Sequence, residues 1–233
     1  MKQSAKAIFL HKISYSESSL ITVFYTREFG LQHFLFQGGK KKSASLVPCA
    51  LCELTFYKRP DSELGKLTEA KAYRNLHLFV LNPLLSTVAF FFADVLRNAL
   101  KAEQPDQHLF DFIEAYLLKV NEQDDLDGSM LALNFMIEFA RHLGIEPLIE
   151  GPNKRYFYLN EGSFSNVDLS GDLVREGGAV LLIQDILRSA SSERYLLQDK
   201  RIALEVMIRY YELHIPNFNV DRSLSVIREV LYT

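Results

Sequence analysis

The sequence predicts an α+β protein: a small five-stranded β-barrel at the N-terminus, then an all-helical region that carries a small loop-rich insertion. Three observations carry this reading. The first 75 residues fall into five short runs rich in β-branched and aromatic residues, separated by turn residues. From Asn82-Pro83 onward, apolar residues recur at helical spacing instead. Charge divides with the pattern. Residues 1–75 hold 12 Lys and Arg against 6 Asp and Glu, and residues 76–233 hold 14 against 23. A whole-chain net charge of −3 therefore conceals a basic front and an acidic back, as in a chain of two modules with different partners.

The strands are expected at 5–13 (AKAIFLHKI), 20–26 (LITVFYT), 30–37 (GLQHFLFQ), 52–58 (CELTFYK) and 66–74 (KLTEAKAYR). Between the second and third lies Arg27-Glu28-Phe29-Gly30, where Gly30 supplies the positive φ that a tight turn needs. Arg59-Pro60-Asp61 closes the fourth and Gly65 opens the fifth. Five short strands in so few residues fit a closed barrel of the OB type, which also removes the edges that such apolar strands would expose.

Helices are expected from Asn82-Pro83 to about Lys101, from Gln107 to Val120, from Ser129 to Leu143, near 181–189, over 199–214 and over 223–231. Asn is a good N-cap, Pro is favoured at the first helical position, and Gly144 is a natural C′ residue. Residues 144–180 carry Pro147, Pro152 and six glycines and read as loop-rich, with a hairpin at 155–165. The domain organisation expected is 1–80 for the barrel and 81–233 for the helical domain, the latter containing that subdomain.

Function classes narrow in the same way. The N-terminus lacks the apolar run of a signal peptide, and the apolar stretch from Leu84 to Leu100 is broken by Asp94, Arg97 and Asn98. Two cysteines fit a reducing cytosol, so a cytoplasmic location is expected. Cys49-x-x-Cys52 has the spacing of half a zinc site or of a redox pair, but no second pair completes it and residues three apart on a strand point to opposite faces. Both are read as buried structural cysteines. His108, His142 and His214 are scattered, and no Ser/His/Asp spacing, H-E-x-x-H or glycine fingerprint occurs. Asp124, Asp125 and Asp127 lack the Gly and Glu of a calcium loop. No catalytic role is expected.

Gly38-Gly39-Lys40-Lys41-Lys42-Ser43 is the most informative local feature. Glycines let the backbone approach a phosphate, and three lysines make a cationic tip at the end of the third strand. The first Gly of a nucleotide-binding loop is missing. A solvated charge run is the plain alternative. Phe24, Tyr25, His33, Phe34, Phe36 and Tyr57 lie on the same strands, and barrels of this type stack bases on such rings. Alternation allows at most half of them to face outward. In the acidic half, Arg141, Arg194, Lys200, Arg201 and Arg209 stand apart. Lys200 and Arg201 occupy the first turn of a helix, where the macrodipole disfavours them, which hints at an anionic partner.

These residues resemble the RecO family. The segment 10–58 is similar to its opening: Leu10-His11, Tyr15/Glu17/Ser18, Phe24/Thr26/Arg27/Gly30 and the run Gly39–Ser43. The segment 210–231 is similar to its final pair of helices, with Arg222-Ser223 at a basic-Ser step. Many RecO proteins carry a four-cysteine zinc element where this chain has residues 144–180 without a cysteine, so no zinc is expected, the aromatics Tyr156, Phe157, Tyr158 and Phe164 stabilising the stretch instead. The resemblance implies a non-enzymatic recombination mediator of DNA repair, bacterial and nucleoid-associated. Such a protein binds single- and double-stranded DNA, anneals complementary strands, acts with RecR, engages the acidic tail of single-strand-binding protein and so helps load RecA. DNA contact is expected at Arg27, Lys40, Lys41, Lys42, Lys58, Arg59, Phe34 and Phe36, and contact with the tail at Arg201 and Arg209. Five phosphates neutralised would give a log–log salt slope of about −3.5 on single strands. The alternative is a protein–protein adaptor whose barrel makes no direct DNA contact.

Overall fold

The computed structural model describes residues 2–44, 46–59, 62–101, 104–123, 127–168, 171, 173–190 and 194–232. The turn at Pro60-Asp61 and the acidic Asp124-Asp125 lie outside the described residues. The chain divides into two compact units, 1–126 and 127–233, so the helices between residues 77 and 121 join the barrel in the first unit.

In the first unit, β1 (Lys2–Ser14), β2 (Leu20–Thr26), β3 (Gly30–Phe36), β4 (Leu51–Tyr57) and β5 (Leu64–Ala72) close into a barrel in the order β1-β2-β3-β5-β4. Every pair is antiparallel except β3–β5, as the five-stranded Greek-key barrel of the OB type requires. The register of β1 with β2 shifts between Phe9 and His11; such a bulge bends the strand, and β1 pairs with both β2 and β4. Four rings from four strands fill the interior: Phe9–Phe24 at 5.3 Å, Phe24–Phe34 at 6.1 Å and Phe34–Phe56 at 4.8 Å between centroids. Gly65 pairs in register with Phe34, and a Cβ there would lie 2.7 Å from the Phe34 ring. Glycine is thus the space that the ring occupies.

Gly30 has φ +67° and closes the β2–β3 turn as expected. The basic run departs from the expected loop. Gly39–Lys42 forms α1, a single helical turn entered through Gly38 at φ +67° and closed by Ser43 N–H donating to the Gly39 carbonyl at 2.8 Å. One turn is too short to leave a periodic signal.

Helices cover one side of the barrel. α2 (His77–Leu81), α3 (Pro83–Ala99) and α4 (Gln107–Asn121) follow the strands. The Asn82 side chain accepts from the amides of Leu84 and Leu85, and Pro83 holds the first helical position. α3 packs on β1, where Ile8 and Leu10 point away from the barrel core yet are buried. Tyr25 of β2 packs on Phe110 of α4 and donates to the Asp106 carbonyl at 3.1 Å. Local sequence signals do not announce α2, because the Leu78 amide is satisfied by the Asn121 side chain, 43 residues away, at 3.0 Å.

In the second unit, α5 (Gly128–His142), α6 (Gly178–Leu187), α7 (Leu197–His214) and α8 (Asp221–Leu231) accompany a small sheet of β6 (Tyr156–Tyr158), β7 (Ser163–Ser165) and β8 (Val174–Glu176) in the order β7-β6-β8. The expected hairpin is present and β8 adds a third strand. Gly144 takes φ +72° beyond α5. Phe157 stacks on Phe164 at 4.4 Å and meets Tyr210 of α7 at 5.6 Å, and His214 lies 4.1 Å from the Tyr210 ring while bonding the Leu159 carbonyl at 2.9 Å. These rings fasten the small sheet to α7. No helix among the described residues is long and apolar enough to cross a membrane.

Replacing Gly65 with Val is expected to lower stability by about 1–3 kcal/mol through overpacking against Phe34. Gly171→Ala, where no atom lies within 4 Å of the added carbon, is the control and leaves the melting temperature unchanged. Thermal unfolding followed by circular dichroism measures both.

Candidate nucleic-acid interface

Alternation along the strands decides what the open side of the barrel presents. Phe34, Phe36 and Phe56 point inward, so His33, Leu35 and Tyr57 point outward. The strand registers then align one row across four strands: Lys2 of β1 opposite Tyr57 of β4, Tyr57 opposite Lys66 of β5, and Lys66 opposite Leu35 of β3. Lys2 and Lys66 are exposed and Tyr57 is 47% exposed. Beside the row runs a groove of about 500 Å³ bounded by Leu35, Tyr57, Lys58, Arg59, Leu64 and Lys66. Lys58 and Arg59 also border a second hollow of about 390 Å³ next to Phe29 and Gln32. Lys58 Nζ donates to Gln32 Oε1 at 2.6 Å.

Charge is not balanced along this row. At the far end of the same sheet, Glu53 of β4 lies in register between Lys6 and Lys71, and Lys71 pairs with Glu69 at 3.0 Å. There acids and bases cancel. The row through Tyr57 contains two lysines and no acid, with Lys58 and Arg59 directly after Tyr57 in the chain. Partial burial, and then the Lys58 charge, push the outward-pointing His33 below its ordinary value against the opposing pull of Glu63.

The lysines of α1 form a second cationic element. Lys40, Lys41 and Lys42 are exposed, and their side chains make no hydrogen bond or ion pair among the described residues. The Lys40 amide donates to the Ser18 carbonyl at 3.2 Å, tying α1 to the β1–β2 connection that carries the exposed Tyr15. Lys12 Nζ donates to the carbonyls of Ser43 and Leu46, both at 3.0 Å, and burial lowers its pKa. It is a brace for this segment.

Three of the residues expected to touch DNA are employed otherwise. Phe34 and Phe36 lie in the barrel core, because β3 turns these alternate positions inward, and buried rings present no stacking surface. Arg27 makes two parallel hydrogen bonds to Asp111, at 2.7 and 2.9 Å, which hold its guanidinium against α4. That partner stands 84 residues away. Lys2 and Lys66 were not foreseen, although Phe56 pointing inward requires its neighbour Tyr57 and the registered partners of Tyr57 to point outward.

Cys49 and Cys52 are both buried and unbonded to one another. Cys49 donates to the Ala89 carbonyl at 3.3 Å, and burial pushes the Cys52 thiol up to about 12. Both are buried packing residues, but Cys49 lies in the turn before β4 at φ +64°, so it is not a strand neighbour of Cys52. In the second unit, the donor set of 144–180 does not fit a thiolate metal site, since it contains no cysteine, and no cluster of three or more His, Cys, Asp or Glu among the described residues is placed to hold an ion. Four of the five cations singled out there have acidic partners inside the unit: Arg141 with Glu146 at 2.6 Å, Arg194 with Asp185, Arg209 with Glu212 at 2.8 Å, and Lys200 with Asp127 at 2.6 Å. The hint attached to Lys200 has an internal answer, because Asp127 caps α5 through the Ser129 amide and also receives the Lys200 ammonium. Arg201 remains exposed.

A barrel of the OB type with a cationic open face, followed by a helical region, is the class of protein these features define. Two family profiles match the chain in succession: "Recombination protein O N terminal" over residues 1–76 and "Recombination protein O C terminal" over residues 81–222. The chain belongs to this family, RecO. Similar proteins include the DNA repair protein RecO of Phocaeicola vulgatus, 29% identical with 99% of each chain covered, and that of Christiangramia forsetii, 27% identical with 97% of each covered. The one from Bacteroides fragilis is 26% identical, again with 99% of each covered. Family membership supports a role in DNA repair.

Burial works to raise the Asp127 carboxyl, but hydrogen bonds from Lys200 and Ser129 outweigh it and hold the group below its ordinary value of 3.8. A depressed carboxyl stabilises fully above its unfolded pKa and loses that contribution as pH falls through the folded one. Asp127→Asn is therefore expected to be less stable than wild type at pH 7, with the two converging below pH 3.8. Urea unfolding across pH measures this.

Proposed function

We propose that the open face of the barrel binds DNA and that the protein is a non-enzymatic recombination mediator acting in DNA repair. Residues 1–80 serve as the nucleic-acid-binding domain and 81–233 as the helical domain. The observation that carries this reading is the exposed row Lys2–Tyr57–Lys66, whose lysines make no ion pair among the described residues, with Lys58 and Arg59 next to it. A phosphate chain supplies the negative charge that the row lacks, and phosphates carry no base identity, so binding is insensitive to sequence.

In this reading the protein binds single- and double-stranded DNA and anneals complementary strands. With RecR it helps RecA load onto DNA coated by single-strand-binding protein. Family membership supports this sequence of roles. Contact with the acidic tail of single-strand-binding protein is assigned to the helical domain at Arg201, whose side chain is exposed, with Arg209 contributing once Glu212 releases it. Arg27 likewise joins the DNA contacts only by leaving Asp111.

Replacing Lys40, Lys41 and Lys42 together with Ala is expected to weaken binding to single strands and to duplex alike. It should flatten the log–log salt dependence on single strands by about 2, at roughly 0.7 for each phosphate no longer neutralised. Fluorescence anisotropy over a salt series reads both quantities. Unchanged affinity and slope would instead favour a barrel that binds protein.

A further inference from the structure

We propose that Tyr57 is a base-stacking platform, so that the row across β1, β4, β5 and β3 holds unpaired DNA while the lysines of α1 touch the backbone of either form. The proposal rests on the DNA-binding reading above and assigns the row its substrate class.

Nearly every other aromatic ring of the barrel is engaged elsewhere. Phe9, Phe24, Phe34 and Phe56 fill the core, and Phe36 is buried among them. Phe29 packs edge-on against Phe56, Tyr25 against Phe110, and the Tyr73 hydroxyl donates to Glu114 at 2.5 Å. Tyr57 differs from these. Its side chain makes no hydrogen bond or ring contact among the described residues, and it stands in the middle of the row rather than on a loop.

The neighbours of Tyr57 suit a strand whose bases turn toward the protein. Lys2 and Lys66 are its registered partners on either side, and paired Cβ atoms generally lie roughly 4.5–5.5 Å apart, so a lysine neighbours the tyrosine on each adjoining strand. Leu35 continues the row beyond Lys66 as an apolar floor, and Lys58 and Arg59 extend the charge along the groove. This combination of aromatic platform and cationic rail is how proteins hold single strands irrespective of sequence. In a duplex the base faces are already stacked on one another, so the ring adds nothing there and only phosphate contacts remain. The α1 lysines have the reverse character, being three charges on a single helical turn with no ring among them.

The test compares a 20-nucleotide single strand with its duplex by fluorescence anisotropy, using the full chain. Tyr57→Ala is expected to bind the single strand roughly 5- to 100-fold more weakly, the effect of losing one stacked base, and the duplex within about twofold of wild type. Tyr57→Phe keeps the ring and should match wild type on both. Because the protein contains no tryptophan, Tyr57→Trp adds a unique reporter, whose emission should be quenched by the single strand and not by the duplex. Equal loss on both forms at an unchanged melting temperature, or no loss on either, overturns the stacking proposal. So does indole emission from the Tyr57→Trp variant that is indifferent to single strands. If the triple α1 lysine variant still loses affinity in those cases, the DNA-binding reading survives alone; if it does not, both fall.

Discussion

The barrel closes around a line of four phenylalanine rings, Phe9, Phe24, Phe34 and Phe56, each from a different strand. A strand has only two faces, and burying these rings settles which face of each strand is inward. Everything that the barrel offers to a partner follows from that choice. With Phe56 inside, Tyr57 is outside; with Phe34 and Phe36 inside, His33 and Leu35 are outside. A slip of one residue in any strand would exchange the two sets. Gly65 secures the arrangement, since its missing side chain is where the Phe34 ring lies.

Which outward residues are available then depends on what covers them. α3 packs on β1, where Ile8 and Leu10 are buried, and α4 on Tyr25 of β2, while the row from Lys2 through Tyr57 to Lys66 stays exposed. Electrostatics sharpen the division. At one end of the sheet Lys6 and Lys71 are matched by Glu53 and Glu69, while the row at the other end holds Lys2 and Lys66 and no acid. In the second unit most of the prominent cations are matched by nearby carboxylates, which suits a region whose net charge is negative.

Much of this was legible in the residues. All five strands, the cap at Asn82-Pro83 and the stop at Gly144 are local signals, readable over a few positions. What escaped was decided over long separations. The partner of Arg27 lies 84 residues on, that of Lys200 lies 73 residues back, and α2 owes its first turn to Asn121. The facing of Phe34 against His33 also depends on the closed sheet, because aromatic residues of both parities occupy β3 and its neighbours. The basic run at 39–42 showed its charge plainly but not its single helical turn.

The central claim is that DNA lies along the open side of the barrel. Backbone amide shifts of the isotopically labelled protein, followed by NMR during titration with a short single strand, test it most directly. The largest changes are predicted to fall on residues 2–4, 33–42 and 57–66, with α3 and α4 undisturbed. Changes concentrated on α3 and α4, or confined to residues 127–233, would contradict it.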